Sequence, residues 1–185
     1  MKKLIYSIII LFCITSCTKE PVKFSNNEYP LNLNIVGATF CGQNNNLYLL
    51  SNNPNQVTAF NIESKVFQNI TLNDIPNCIV INTNETYAAI GHLNKISIID
   101  LNTNSVKKQI NLPMQVYNLT FSDSVNLYAN SSTKIEPYID WINIDTENRI
   151  RKEYEIGYKF TLKSDPIGNY LAGATYSFKE NFCLE

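Results

Sequence analysis

The 185-residue chain has a nearly balanced charge, with 15 basic and 16 acidic residues, and only 17% of its residues are charged. No basic stripe runs through it, so we expect no nucleic-acid partner. The length predicts one domain. Asparagine, which occurs 27 times, supplies much of the polarity and suits a chain made of tight turns.

Residues 1–16 have the pattern of an export signal. Two lysines open it, and Leu4–Ile14 is an apolar run too short to cross a bilayer comfortably. The string Ile-Thr-Ser-Cys that ends at Cys17 resembles the lipobox of bacterial lipoproteins. The resemblance implies cleavage before Cys17 and acylation of its sulfur, with palmitate as one acyl group, so the membrane is a partner. The alternative is an ordinary cleaved signal peptide or a short membrane anchor.

Residues 17–28 are polar and show no periodicity, which indicates a lipidated tether between the membrane and the folded part. We assign residues 29–185 to the folded domain. At its start, Tyr29–Ile35 alternates apolar and polar residues, which predicts a lead-in strand.

Residues 79–112 contain four short apolar runs separated by turn-forming residues, which predicts one small antiparallel sheet of four strands. The pattern recurs at intervals close to 41 residues. Three sets of positions mark it: an apolar residue of the first strand at Phe40, Ile81, Phe121 and Leu162; a tyrosine of the second strand at Tyr48, Tyr87, Tyr128 and Tyr170; and a polar residue of the third strand at Asn61, Asp100 and Asn143. Such a period is typical of β-propeller blades.

The predicted fold is all-β, a β-propeller of four-stranded antiparallel blades with about three and a half blades present. The predicted blades span Gly37–Leu72, Cys78–Leu112, Gln115–Ile156 and a fourth from Lys159 with only its first two strands. We expect the first strand to be innermost and Tyr87 to lie in the blade core. Closed propellers use about four to eight blades. Either the sequence is the front part of a longer protein or of a disrupted reading frame, or partner chains complete the ring. A β-sandwich is the alternative fold, but it does not explain the period.

The segment Lys95–Leu112 (KISIIDLNTNSVKKQINL) resembles the YVTN-type propeller repeat of bacterial surface proteins, and Gln56–Leu72 and Asp140–Gly157 match it more loosely. The resemblance covers about Ala38 to Tyr176 and is shared with WD-type and quinoprotein-like propellers. It implies a β-propeller and carries no catalytic residues. A glycine of the motif is missing from blades 1 and 2, and the Tyr-Val-Thr-Asn string itself is absent, which leaves the subfamily open.

The candidate binding loop is the connection between the second and third strands of blade 3, Ser131–Ile139, which is longer than its equivalents. Aromatic and charged side chains on loops form a reasonable binding surface. The candidate residues are Lys134, Glu136, Tyr138, Asp140, Trp141 and His92. The alternatives are that Trp141 packs between blades, that the loop is merely elongated, and that His92 is a solvated loop residue.

No catalytic residue, metal site or cofactor is predicted. The single histidine lacks partners for catalysis or zinc, and no phosphate loop, serine elbow or zinc-protease motif occurs. Cys41, Cys78 and Cys183 are widely spaced and are expected to be small, partly buried strand residues, although one pair could be oxidised. Asp123 and Asp165, with Asn84 close to the equivalent place, are expected to cap turns.

These observations predict a lipid-anchored β-propeller at the bacterial cell envelope, on the outer membrane and on its periplasmic or surface face. We expect it to act as a binding module for an extracytoplasmic protein, peptide or glycan. One alternative is a propeller enzyme, a lyase or hydrolase, whose catalytic residues lie in blades missing from this chain. The other is a non-functional fragment.

Overall fold

A computed structural model of the chain describes residues 31–131, 138–153, 160–164, 171–175 and 181–184. These residues form β-strands and the turns between many of them, and no helix among them is long and apolar enough to cross a bilayer. The strands are β1 (Ile35–Cys41), β2 (Asn46–Asn52), β3 (Asn55–Asn61), β4 (Phe67–Thr71), β5 (Cys78–Ile81), β6 (Tyr87–Gly91), β7 (Lys95–Asp100), β8 (Ser105–Asn111), β9 (Val116–Phe121), β10 (Asn126–Ser131), β11 (Tyr138–Asn143), β12 (Arg149–Glu153), β13 (Phe160–Ser164), β14 (Leu171–Thr175) and β15 (Asn181–Leu184).

The strands pair in chain order into four antiparallel sheets. Blade 1 contains β1–β4, blade 2 contains β5–β8 and blade 3 contains β9–β12, while blade 4 contains the three strands β13–β15. Within each sheet, the hydrogen-bonded neighbours are strands that follow one another in the sequence. The predicted all-β fold of four-stranded antiparallel blades is confirmed.

Two predicted boundaries were wrong. Blade 4 was predicted to have two strands but has a third, because Asn181–Leu184 pairs with the edge of β14 that a two-stranded blade would leave free. The lead-in strand at Tyr29–Ile35 is not formed at residues 31–34, which lie outside any strand, whereas Ile35 is the first residue of β1; residues 29–30 lie outside the described part. Asn34 bonds through its backbone to Asn52 and Asn53, but a register shift after Ile35 interrupts the ladder there.

The strand registers define which positions of the blades are equivalent. The repeat residues that end the third strands, Asn61, Asp100 and Asn143, pair with Asn46, Tyr87 and Asn126 respectively. Tyr87 is therefore equivalent to Asn46, and Tyr48 is equivalent to Ala89. Tyr48 is fully buried, whereas Tyr87 is half-buried beneath Lys107, whose Nζ lies 2.6 Å from the phenol oxygen. The prediction that Tyr87 lies in the blade core was wrong, because the core position equivalent to Tyr48 is Ala89, two residues further along the chain.

The blades pack face to face, and each has a back face toward the preceding blade and a front face toward the following one. The first strands of successive blades contact each other, as expected for innermost strands. One apolar cluster joins the front of blade 1 to the back of blade 2, and a second joins the front of blade 2 to the back of blade 3. The first cluster includes Tyr48, Leu50, Val57, Ala59, Ile70, Ala88, Ile90 and Ile99. The second includes Ala89, Ile96, Ile98, Ile110, Val116, Leu127 and Ile142.

Side-chain caps end the strands at the turns. Asn61, Asp100 and Asn143 each accept backbone N–H bonds from the following turn, at 2.8 to 3.2 Å. Asp123 accepts N–H bonds from Val125 and Asn126, so its predicted capping role is confirmed.

Burial raises the pKa of the Asp123 carboxyl. The hydrogen bonds that this carboxyl accepts from Val125 and Asn126 together outweigh burial, so its pKa lies below the ordinary value. Asn84 accepts a bond from the Thr86 hydroxyl in the turn of blade 2, and Asp165 lies outside the described residues.

The cysteines lie on strands, as predicted. Cys41 ends β1 and is fully buried, and Cys78 begins β5 and is half-buried; both are free thiols. Cys183 belongs to β15.

Gly91 lies where blades 2 and 3 approach each other too closely for a larger side chain. A methyl group added there would lie 2.6 Å from a Val116 methyl carbon and 2.7 Å from the Cys78 sulfur. We expect Gly91→Ala to lower the free energy of unfolding by about 1–3 kcal/mol, because the inner strands cannot separate without opening the core. Urea denaturation measures the change.

Gly42→Ala is the matched control. A methyl group at Gly42 meets only the Glu85 carboxylate, at 3.5 Å, which is ordinary contact. We expect a change within about 0.5 kcal/mol. Equal losses in the two variants would contradict the packing explanation.

Candidate binding surface

The described candidate residues of blade 3 lie on a strand rather than on a loop. Tyr138, Asp140 and Trp141 all belong to β11, and Lys134 and Glu136 lie outside the described residues. Tyr138 and Asp140 are buried, and Trp141 is half-buried. The prediction that these residues share one exposed loop is therefore wrong for Tyr138 and Asp140.

Asp140 organises a cluster of charged and aromatic side chains. The Asp140 carboxylate is fully buried and accepts two bonds from Arg151, Nε to Oδ1 at 2.9 Å and Nη2 to Oδ2 at 3.1 Å. The Arg149 Nε lies 3.8 Å from Oδ2. The Arg151 guanidinium also stacks over the Tyr138 ring, 3.6 Å from its centroid. A buried carboxylate needs such a paired and bidentate partner, so Asp140 fixes where the arginines of β12 lie.

Strand alternation explains how the sequence builds this cluster. Asp140 pairs with Arg151, and Ile142 pairs with Arg149, so both arginines project from the same face of β12. Tyr138 and Ile142 belong to the core between blades 2 and 3, which identifies this face as the back of blade 3.

A cleft of about 400 Å³ separates β8 from the outer part of blade 3. We call it the blade 2–3 cleft; its lining residues are Gln109, Ile110, Asn111, Leu112, Ile142, Glu147 and Arg149. Ile110, Leu112 and Ile142 form a buried apolar floor. At its edge, Lys108 Nζ lies 3.4 Å from Glu147 Oε1. The Arg149 side chain is 38% exposed, which makes it accessible to a ligand in the cleft.

Trp141 lies on the opposite face of β11. It pairs with Tyr128 and Ile150, and Tyr128 pairs in turn with Thr120. The Thr120 hydroxyl lies 3.3 Å from the Ser164 hydroxyl of β13, so this row belongs to the front face toward blade 4. Trp141 does not line the cleft, and its position fits the alternative of packing between blades.

His92 is buried rather than solvated, so the expectation of a solvated loop histidine was wrong. Only 1% of it is exposed, because the segment containing Ile75 covers the turn between β6 and β7. The His92 Nδ1 lies 3.2 Å from the Ile75 carbonyl oxygen, and Nε2 lies 2.9 Å from the Ser97 hydroxyl. A carbonyl only accepts, so Nδ1 carries the proton and Nε2 accepts from Ser97.

The environment of His92 favours the neutral ring. Burial lowers its pKa below the ordinary value, which outweighs the opposing influence of the Ile75 carbonyl and the Asp74 carboxylate, while Lys95 acts in the same direction as burial. Ser97 pairs with Ile90, which packs on blade 1, whereas Tyr138 packs between blades 2 and 3. His92 and the Asp140 cluster thus lie on opposite sides of blade 2 and do not form one site.

Sequence reasoning did not identify Arg149, Arg151, Gln109 or Asn111. The available signal was the Arg-Ile-Arg string in β12, because strand alternation places its two arginines on one face. Charged residues on an outer strand are usually solvated, so this string alone does not indicate a site. Only the strand register shows that Arg151 lies opposite the buried Asp140 carboxylate.

Comparisons with solved structures identify the fold. The chain is similar to a chain of the Kuenenia stuttgartiensis hydrazine synthase structure, with a TM-score of 0.70 and 14% identity over 87% of this chain and 48% of that chain. It is similar to the WD40 repeats of RRP9, with a TM-score of 0.66 and 14% identity over 79% of this chain and 46% of that one.

It is also similar to an auxiliary nutrient binding protein from Bacteroides thetaiotaomicron, with a TM-score of 0.60 and 14% identity over 76% of this chain and 35% of that one. The chain thus spans about half, or less, of these solved chains. No family model matches the sequence, and no curated protein is similar to it in sequence. The shared feature is the fold, and the chain is a β-propeller.

The buried neutral His92 predicts a specific pH dependence of stability. Its pKa is lower in the folded chain than in the unfolded chain, so the unfolded chain binds the proton more readily. We expect the free energy of unfolding to fall as the pH decreases through the unfolded value, from about pH 7.5 to about pH 5.5. In His92→Gln, this slope should be smaller. Denaturant titrations at both pH values measure it, and equal slopes in the two proteins would contradict the assignment.

Proposed function

We propose that the chain is a lipid-anchored binding module of the bacterial cell envelope. The blade 2–3 cleft binds an extracytoplasmic protein, peptide or glycan, and Cys17 anchors the chain to the membrane. The observation that carries the proposal is the pair of arginines fixed beside an accessible cleft by the buried Asp140 carboxylate.

The chemistry of the cleft favours a polar ligand with an anionic group. The net charge around the cleft is one positive charge. Three side chains are cationic, Arg149, Arg151 and Lys108, and two are anionic, Asp140 and Glu147. A guanidinium binds a carboxylate with good geometry, as in an acidic peptide or an acidic sugar.

The fold and the amino-terminal sequence support the location and the binding role. Propellers present rigid blades from which such a surface projects. One structural neighbour, from Bacteroides thetaiotaomicron, is described as a nutrient binding protein. The lipobox-like string before Cys17 follows a short apolar segment, as lipid anchoring requires.

The anchor is tested by Cys17→Ala. In cells fed an alkyne analogue of palmitate, we expect this variant to lose lipid labelling and to leave the membrane fraction, because the acylated sulfur is absent. Cys13→Ala is the matched control, since it removes a cysteine inside the export signal and should leave labelling unchanged. Labelling of the Cys17→Ala variant at the original level would contradict the proposal.

The cleft is tested by photo-crosslinking in cells that make the protein. A benzophenone amino acid at Asn111, which lines the cleft, should give a covalent adduct. The same amino acid at Thr71 should give none, because Thr71 is the exposed register equivalent on blade 1 and lies outside the cleft.

Arg149→Ala should reduce the adduct at position 111 by about tenfold, since a bond to a charged group is worth about 1.5–3 kcal/mol. Adducts of equal yield at positions 71 and 111, or an adduct that Arg149→Ala leaves unchanged, would contradict the cleft as the binding site.

A further inference from the structure

A second cleft lies between blade 1 and the β7–β8 turn of blade 2, on the opposite side of blade 2 from the blade 2–3 cleft. We call it the blade 1–2 cleft; its volume is about 280 Å³. Four amide side chains line it: Asn46, Asn61, Gln68 and Asn104. None of the described lining residues carries a charge, so this cleft favours a neutral ligand.

The cap at the end of β3 fixes the orientation of the first two amides. The Asn61 Oδ1 atom accepts backbone N–H groups of the following turn, so its Nδ2 group is the donor. Asn61 Nδ2 donates to the Asn44 carbonyl oxygen and to Asn46 Oδ1, both at 2.9 Å. Because Asn46 Oδ1 is thereby an acceptor, the Asn46 Nδ2 group donates to the Tyr48 hydroxyl, at 3.3 Å.

The same direction of donation continues from blade 1 to blade 2 and back to Gln68. The Tyr48 hydroxyl accepts two amide N–H groups, so its own proton goes to Asn104 Oδ1, 3.0 Å away. Asn104 Nδ2 then donates to Gln68 Oε1 at 2.9 Å. The chain of bonds therefore ends on the Gln68 Nε2 group, whose two N–H donors have no partner within the described part of the protein. Gln68 is exposed, so these donors are accessible to a ligand.

The other lining groups indicate which acceptor fits these donors. Val66 is 60% exposed, and Ala59, the strand partner of Gln68, is buried. An N–H donor beside an apolar surface matches an acetamido group, which combines a carbonyl oxygen with a methyl group. The Ser64 hydroxyl donates to Asn61 Oδ1 at 2.9 Å, so its oxygen can accept a bond from a ligand. Ligand pockets usually measure about 300–1,000 Å³, so this small cleft suits a single sugar ring.

We propose that the blade 1–2 cleft binds an N-acetylated amino sugar. Gln68 Nε2 donates to the carbonyl oxygen of the acetamido group, the methyl group packs against Val66, and a ring hydroxyl donates to Ser64 Oγ. The ligand is neutral and the site lies on another blade interface, so this inference does not depend on the anionic ligand proposed for the blade 2–3 cleft.

Saturation-transfer difference NMR on the full chain in detergent tests the ligand. The probes are N-acetylglucosamine, glucose and N-acetylalanine N′-methylamide, each compared with micelles that lack the protein. We expect saturation of the methyl protons of N-acetylglucosamine. Glucose, which lacks the acetamido group, and the peptide-like amide, which lacks the ring, should each bind about tenfold more weakly. Binding of either one as strong as that of N-acetylglucosamine, or no saturation of N-acetylglucosamine, would overturn the proposal.

Two variants with the same charge change test the site. Gln68→Glu keeps an oxygen that accepts from Asn104 but replaces the Nε2 donors, so we expect about tenfold weaker binding of N-acetylglucosamine. Gln115→Glu is the matched control, because Gln115 is exposed and lies outside the cleft, and it should bind like the wild-type chain.

Arg149→Ala should also leave binding of N-acetylglucosamine unchanged, since Arg149 lines only the blade 2–3 cleft. This variant separates the two proposals, because it weakens the ligand of one cleft alone. Far-UV circular dichroism shows whether Gln68→Glu is folded. A folded Gln68→Glu variant that binds like the wild-type chain, or a loss of equal size in Gln115→Glu, would contradict the site.

Discussion

Burial of both faces of each sheet is the constraint on which the structure depends. A four-stranded sheet of this size has two apolar faces and cannot cover either one alone. Blade 2 shows the solution, since Ile90 and Ile99 pack on blade 1 while Ile96 and Ile98 pack on blade 3. This two-sided burial explains why β6 and β7 read as continuous apolar runs rather than as alternating strands.

The same stacking aligns the polar turns at one end of the blades and lets them bond to one another. The Glu85 carboxylate accepts the Gln43 backbone N–H at 2.6 Å, and Asn82 Nδ2 donates to the Ser124 carbonyl at 2.7 Å. These contacts join blade 1 to blade 2 and blade 2 to blade 3. The cleft arises from the same geometry, because the outer strands diverge from the packed inner strands, and Asp140 holds the arginines of β12 at that opening.

The period near 41 residues predicted the blades because each blade must present the same faces to its neighbours. The sequence did not reveal the register within a blade. Tyr87 matched the tyrosine spacing but lies two positions from Tyr48 in the sheet, since a phenol ring fits both the centre of a blade and its edge. His92 reads as a turn residue, and its burial depends on Ile75, a residue of the preceding connection. Asp140 likewise gains its role only from Arg151, which the register brings opposite it.

The caps at the ends of the third strands constrain how the repeats diverge. In blades 1 and 3 the capping residue is an asparagine whose amide donates to a second asparagine across the pair, Asn61 to Asn46 at 2.9 Å and Asn143 to Asn126 at 3.1 Å. In blade 2 the cap is Asp100, which has no amide to donate, and its pair is Tyr87. A carboxylate at the cap can accept the turn N–H groups but cannot donate across the strand pair, so blade 2 keeps the cap and lacks the cross-strand amide bond. The cap requires only an acceptor, so the repeat can change its cross-strand pair and remain recognisable by spacing after its residues no longer match.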